Sequence, residues 1–191
     1  LIKLSKNHLI AGPRYGNLDI GDKGLGRLIE PNEINDLINK TKGKVIVTSG
    51  PTVEPIDDVK VISNKSSGKQ GRALAIELNS KGYEVIYIHS SLIQPIPGIE
   101  NKTFNTSDEL FSVISSEMKD TESVFMTAAV SDFILNKTDG KISRNNGKLN
   151  LELTPNKDII ASIKTEFPDV KCIAFSAQVN DDLNFDKLKS K

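Results

Sequence analysis

The stretch 44–71, KVIVTSGPTVEPIDDVKVISNKSSGKQG, constrains the fold more than any other part of the chain. Its apolar opening, Val45, Ile46 and Val47, reads as a buried strand. It closes on SSGKQG, which leads straight into a helical pattern, GRALAIELNSKG. Strand, polar loop, glycine-bearing turn and helix form the arrangement by which α/β domains present backbone N–H groups to an anion. Two common phosphate motifs are excluded. No G-x-G-x-x-G follows the strand, and SSGKQG is not G-x-x-x-x-G-K-[ST]. A longer polar insert separates strand from helix, and the chemistry is expected there.

The rest of the chain continues the alternation. A helix is expected over 31–40, with Asn32 as N-cap and Ile34, Leu37 and Ile38 at helical spacing, ended by Gly43. The first strand covers 44–48, and 59–63 reads as a short extended piece. The next helix spans 68–80 and stops at Lys81-Gly82. Strands are expected over 83–89 and 101–105, with the proline-containing loop 91–100 between them. Ser107 opens a helix with a capping-box-like S-D-E-L and an apolar stripe of Leu110, Val113 and Ile114. Residues 123–130, SVFMTAAV, read as a central strand because they are almost wholly apolar. KISRNNGKLNLELT, 141–154, reads as a hairpin around Asn145-Asn146-Gly147. A helix over 156–164 and a strand over 170–177 follow. This pattern predicts an α/β, Rossmann-like three-layer fold with a mostly parallel sheet and one antiparallel hairpin. Residues 1–30 are glycine-rich and are expected to be irregular.

Composition narrows the function classes. The 191 residues suffice for one buried domain with a small appendage. Lys+Arg and Asp+Glu both number 25, so no basic excess points to nucleic acid. The single cysteine, Cys172, excludes an intrachain disulfide framework and lies in an apolar run, as a structural thiol does. His8 and His89 stand far apart, without metal-ligand spacing. No run reaches transmembrane length and no signal peptide opens the chain, which fits a cytoplasmic protein. Leu rather than Met at position 1, and a short charged tail, are expected of a chain cut at both ends.

Ligands of open α/β sheets bind beyond the carboxyl ends of the strands. There the sequence places the insert, with Gly50, Thr52, Lys60, Asn64, Ser66, Ser67, Gly68 and Gly71 as candidate phosphate or substrate contacts. Asp132 follows the central strand, and Lys141 lies on the hairpin. Hydroxyls, amides and lysines without a His or Cys nucleophile suit phosphate handling rather than acyl-enzyme chemistry. Each also has an ordinary reading. Gly68 and Gly71 start and pack a helix, Asn64 caps a turn, Asp132 caps a turn or helix, and Lys141 is a solvated edge charge. Glu54, Asp57 and Asp58 read as a solvated acidic loop.

The string GPTVEPIDDVKVISNKSSGKQG closely resembles the signature of the phosphopantothenate–cysteine ligase family of coenzyme A biosynthesis, roughly GGTxEPIDxVRxIxNxSSGKMG. AAVSDF, GKIS, LELTPNKDII, CIAFSAQ and DKLKSK resemble its further segments in order, so the resemblance covers 44–191. It implies two steps: the carboxylate of 4′-phosphopantothenate attacks the α-phosphate of CTP, and cysteine then displaces CMP from the acyl-cytidylate. Mg²⁺ would bridge the triphosphate. By motif position, Lys141 serves acyl-cytidylate formation and Asn64 the intermediate and its conversion. Met126, Thr127, Ala128, Asp132, Lys141, Lys157, Asp158, Ile159, Ile160, Phe175, Lys187 and Lys191 match nucleotide contacts. The resemblance also implies a homodimer in which 141–154 crosses to the partner.

Residues 1–43, with GPRYGNLDIGDKGLGRLIEPNEI, resemble the last segment of the flavin-dependent phosphopantothenoylcysteine decarboxylase. Ile20 stands where that family has its catalytic cysteine, so no decarboxylase activity is expected. FMN would belong only to the decarboxylase domain of a full-length parent. Within the ligase segment, Lys60 replaces the usual arginine, Pro51 a glycine, Ser143 a lysine, Lys157 a proline and Gln178 a glutamate. The chain also stops short of a further family strand, so a C-terminally truncated domain is expected. Two other readings compete. An NAD-binding Rossmann-type oxidoreductase lacks its G-x-G-x-x-G and its Tyr-x-x-x-Lys. A non-catalytic dimerising relic is opposed by the joint presence of Asn64, Asp132 and Lys141.

Overall fold

The computed structural model describes residues 14–17, 23–27, 30–31 and 42–175. The chain divides into two compact units, Leu1–Thr41 and Lys42–Lys191. In the first, β1 (Arg14–Asn17) pairs antiparallel with β2 (Lys23–Arg27). The glycine-rich segment is therefore not irregular throughout. In the ladder Gly16 pairs with Gly24 and Tyr15 with Leu25. Ile20 and nearly all of the helix expected over 31–40 lie outside the described residues.

The second unit runs β3 (Lys44–Ser49), β4 (Val53–Pro55), β5 (Val61–Ser63), α1 (Lys69–Ser80), β6 (Glu84–Ser90) and β7 (Glu100–Phe104). It continues through α2 (Ser107–Ser116), β8 (Thr121–Met126), β9 (Phe133–Ile134), β10 (Thr154–Pro155), α3 (Ile159–Glu166) and β11 (Lys171–Ala174). Five strands form one parallel sheet in the order β11-β8-β3-β6-β7. Strand β3 is central and buried from Val45 to Ser49, because helices cover both faces. Val45, Val47, Val85 and Tyr87 pack with Ala75 of α1 on one face. Ile46, Ile86, Ile88, Val124 and Met126 pack with α2 and α3 on the other, through Leu110, Ile114, Ile159 and Ile163. The predicted three-layer, mostly parallel α/β fold is the fold observed.

Three local expectations need correction. The capping box is shifted by one residue. Thr106 is the N-cap and accepts from Glu109 N–H at 3.2 Å, while the Glu109 carboxylate accepts from Asn105 N–H at 2.7 Å. Strand β8 ends at Met126 rather than at 130, because the N–H groups of Thr127 and Ala128 turn to the Thr48 hydroxyl. The hairpin over 141–154 does not form. The antiparallel pair here is β9–β10, which brackets the segment, with Ile134 opposite Thr154 and Phe133 opposite Pro155. Arg144–Asn146 is a single 3₁₀ turn. Leu149, Leu151 and Leu153 alternate as a strand should, yet are 47%, 40% and 43% exposed. A two-stranded ribbon with no packed face is marginal in water, so the alternation alone builds no ladder.

Candidate functional site

The insert after β3 crosses the carboxyl ends of its neighbours in the sheet. Gly50 turns the chain with φ 86°, and a Cβ there would come within 2.9 Å of the Ser90 Cβ. Pro51 then forms a parallel bridge to Ala129. Its two bonds run from Ala129 N–H to the Gly50 carbonyl, 2.9 Å, and from Thr52 N–H to the Ala129 carbonyl, 3.2 Å. Neither needs an N–H from residue 51, so proline at this position removes no bond of the bridge. Val53 N–H next reaches the Asn105 carbonyl beyond β7, at 2.7 Å. Thr52 is wholly buried, and its hydroxyl accepts from Ser131 N–H at 3.0 Å. Thr52 therefore shapes the site from beneath.

Thr48 fixes the exit of the central strand pair. Its buried hydroxyl accepts from the N–H groups of Thr127, 3.1 Å, and Ala128, 3.0 Å. These backbone donors, expected at a nucleotide, are thus already occupied. Thr127 returns a hydroxyl bond to the Thr48 carbonyl. Gly71 packs directly on this junction. A Cβ at residue 71 would lie 2.7 Å from the Thr48 carbonyl oxygen, so only glycine lets α1 approach so closely.

Asn64 and the following turn face the same junction. The Asn64 amide donates to the carbonyls of Ala129, 3.3 Å, and Val130, 3.0 Å, while its side chain stays exposed. Gly68, with φ 66°, forms the N-cap of α1, accepts from the Ser49 hydroxyl at 2.9 Å and supplies no side-chain cap. The N–H groups of the first turn are left for another acceptor, with the positive end of the helix dipole behind them. Ser67 is exposed and Ser66 partly so. Lys65 and Lys69 flank the turn, exposed and without ion-pair partners among the described residues. The sequence reading passed over both lysines, although the string NKSSGKQG contains them.

The acidic residues of the insert are not a solvated loop. Glu54 is 5% exposed and accepts from Ser107 N–H at 3.0 Å, at the N-terminus of α2. Asp57 is 2% exposed, and the Lys60 ammonium lies 2.7 Å from it. That ammonium, followed by N–H bonds from Ile142, Lys60 and Val59, holds the Asp57 carboxyl far below the usual carboxylate range despite burial. Lys60 also donates to the Ile142 carbonyl at 3.2 Å, so its charge is tied to the fold. Lys141 is exposed and has no ion-pair partner among the described residues. Asn64 and Lys141 are associated with opposite ends of the β4–β5 ribbon, separated by the three residues of β5.

The remaining predicted contacts divide. Asp132 is exposed, and its carbonyl accepts from Asn156 N–H at 2.8 Å. The Asn156 amide also donates to the Ser131 carbonyl at 2.8 Å, a tie between the β8 exit and α3 that the sequence reading missed. Phe175 is 47% exposed just past β11. Other residues serve the fold. Met126 and Ile159 are buried in the core, and Ile160 packs against it. Asp158 caps α3 by accepting from Ala161 N–H at 3.0 Å. Lys157 turns to α2, 3.0 Å from the Asp108 carboxylate and above the Phe111 ring. Lys187 and Lys191 lie outside the described residues. Cys172 is partly buried, and burial raises its thiol pKa, which keeps it protonated. Among the described residues, no three His, Cys, Asp or Glu side chains form a metal-binding group, and no helix is long and apolar enough to cross a membrane.

An uncapped helix N-terminus, a fixed amide and lysines without ion-pair partners among the described residues lie together at the carboxyl end of the parallel sheet of this α/β domain, the edge where open sheets of this class hold ligands. The chain belongs to the family described as the DNA/pantothenate metabolism flavoprotein C-terminal domain, which it matches over residues 40–191. It is 32% identical to a cysteine/cysteine sulfinic acid decarboxylase from an unknown prokaryotic organism, covering 100% of this chain and 58% of that protein. It is also 32% identical to the coenzyme A biosynthesis bifunctional protein CoaBC of Vibrio cholerae, over 84% of this chain and 43% of that protein. The chain thus spans about half the length of these curated relatives. Among solved structures it resembles the DNA/pantothenate metabolism flavoprotein of Streptococcus pneumoniae, with TM-score 0.67 and 25% identity, over 78% of this chain and 76% of that one.

Proposed function

We propose that the protein acts in coenzyme A biosynthesis as a phosphopantothenate–cysteine ligase that uses CTP. The observation that carries this reading is the junction at the ends of β3 and β8. Asn64 is fixed there by two carbonyls, beside an uncapped helix turn flanked by Lys65 and Lys69. In the first step the carboxylate of 4′-phosphopantothenate attacks the α-phosphorus of CTP, and pyrophosphate leaves. Both reactants are anions, so the step needs cations where charge gathers. Lys141, exposed and without an ion-pair partner among the described residues, is the cation assigned to it. CTP enters as its Mg²⁺ complex, the metal carried on phosphate oxygens as part of the substrate. In the second step the cysteine amine attacks the acyl carbon, CMP leaves with the bridging oxygen, and the amine proton passes to solvent. The exposed Asn64 amide is placed to hold the acyl-cytidylate, and exposed Phe175 offers a face for the base.

In this reading Gly50, Thr52, Gly68 and Gly71 shape the edge, and Ser66, Ser67 and Asp132 line it. FMN and decarboxylation have no part in the reaction. Two copies join through 141–154, whose exposed leucines would find their cover in a partner. Cytoplasmic location fits the metabolite substrates. Pyrophosphate release from CTP that requires 4′-phosphopantothenate, followed by CMP formation that requires cysteine, tests the reading. Pyrophosphate release without 4′-phosphopantothenate, or none with all substrates present, would overturn it.

A further inference from the structure

The segment that carries Lys141 has no ladder of its own and is held from outside. Thr138 N–H donates to the Ile56 carbonyl at 2.9 Å. Gly140 N–H donates to the Asp58 carboxylate at 3.0 Å, and Asp58 N–H returns a bond to the Gly140 carbonyl at 3.2 Å. Lys137 closes an ion pair on the other Asp58 oxygen, 2.5 Å away. Ile142 N–H donates to Asp57 Oδ2 at 2.9 Å, and its carbonyl accepts from the Lys60 ammonium. The bonds fall on residues 138, 140 and 142. They grip the backbone on both sides of Lys141, whose ammonium has no ion-pair partner among the described residues.

Asp57 divides its two oxygens between separate tasks. Oδ1 accepts from Val59 N–H, 2.7 Å, and Lys60 N–H, 2.6 Å, the local turn that an Asp side chain commonly makes. Oδ2 accepts from the Lys60 ammonium and from Ile142 N–H, 85 residues away in sequence. A solvated acidic loop would need only the first. The buried carboxylate stays ionised because Lys60 faces it, and charge-assisted bonds are the stronger kind.

We propose that Asp57 is a positioning residue, whose second oxygen fixes the backbone at Ile142 and so sets where Lys141 presents its ammonium to the developing charge. Asp57 touches no reactant. It acts through residue 142, seconded by Asp58 at Gly140. The role in catalysis rests on the function proposed for Lys141, whereas the link itself does not.

Asp57→Asn separates the two tasks. The asparagine carbonyl can still accept the turn N–H groups, while its NH₂ has no lone pair for Ile142. We expect hydrogen exchange at the Ile142 amide to become about ten- to hundredfold faster, as for loss of one bond to a charged acceptor. Amides of β3 and β6 should be unchanged. The kcat for pyrophosphate release should fall by roughly a hundredfold, with KM for CTP nearly constant, as when a reacting group is misplaced without loss of ground-state binding. Unchanged exchange at Ile142 would overturn the proposal. Faster exchange throughout the sheet would also overturn it, because Asp57 would then be only a stabilising residue. If Lys141→Ala releases pyrophosphate at the wild-type rate, the function assigned to Lys141 fails, and with it the catalytic purpose of Asp57. The exchange measurement still decides the link.

Discussion

Two polar segments flank the ligand edge of the sheet, and they are built in opposite ways. In the insert 50–68, Thr52, Glu54 and Asp57 are buried, and each accepts backbone N–H groups from distant or local chain. In the excursion 135–153, the described polar side chains are exposed and Leu149, Leu151 and Leu153 stand nearly half in water. The insert therefore behaves as part of the core despite its charges. The excursion behaves as a surface despite its apolar residues. Burial follows the supply of partners, not hydropathy alone. In the proposed function this becomes a division of labour: the buried insert holds Asn64, and through Asp57 and Asp58 it also holds the exposed segment that carries Lys141.

The largest expected effect is chemical. Lys141→Ala should lower pyrophosphate release by roughly 10²–10³-fold, the range for loss of one group that stabilises developing charge. Its melting temperature should stay unchanged, because Lys141 has no ion-pair partner to lose among the described residues. A matching fall in melting temperature would show that the excursion is as integrated as the insert.

Next in size is Thr48→Val. It leaves Ala128 N–H without its side-chain acceptor and Thr127 N–H with only the Phe125 carbonyl, at a cost of about 1–3 kcal/mol for a donor left unmet away from bulk water. Chemical denaturation measures this directly. A change within about 0.5 kcal/mol, usual for surface sites, would remove Thr48 from the frame of the site.

On the excursion, Leu151→Ser should alter monomer stability by less than about 0.5 kcal/mol. By the proposed dimer it should weaken self-association, which sedimentation would read. A large loss of stability without change in association would place Leu151 in the monomer's core.

The smallest effect concerns pH. The Asp57 pKa is lowered on folding, so its contribution is complete above the unfolded value of about 3.9 and disappears only as pH falls through the lower folded value. Protection of the Ile142 amide should therefore be the same at about pH 7 and about pH 4, after correction for intrinsic exchange. Loss of protection between those values would mean that Lys60 does not hold the carboxylate ionised.

What the sequence made legible follows the same division. Strands β3, β6 and β8 are read from near-continuous apolar runs, because both their faces are covered. Gly68 and Gly71 are legible because helix N-termini and close packing demand glycine. The roles of Glu54 and Asp57 were hidden, since Ser107 and Ile142 lie 53 and 85 residues away and nothing local announces them. The excursion misled for the reverse reason. Leu149, Leu151 and Leu153 carry a strand's alternation without a surface to receive it. Lys157 and Ile159 match a nucleotide motif by position, yet their side chains serve α2 and the core.

The most direct test of the proposed chemistry follows the oxygen. 4′-Phosphopantothenate labelled with oxygen-18 in its carboxylate is turned over with CTP, Mg²⁺ and cysteine, and the CMP is examined by mass spectrometry. Attack of the carboxylate on the α-phosphorus predicts one oxygen-18 in each CMP formed. Unlabelled CMP, formed together with the cysteine adduct, would contradict the acyl-cytidylate and the role given to Lys141.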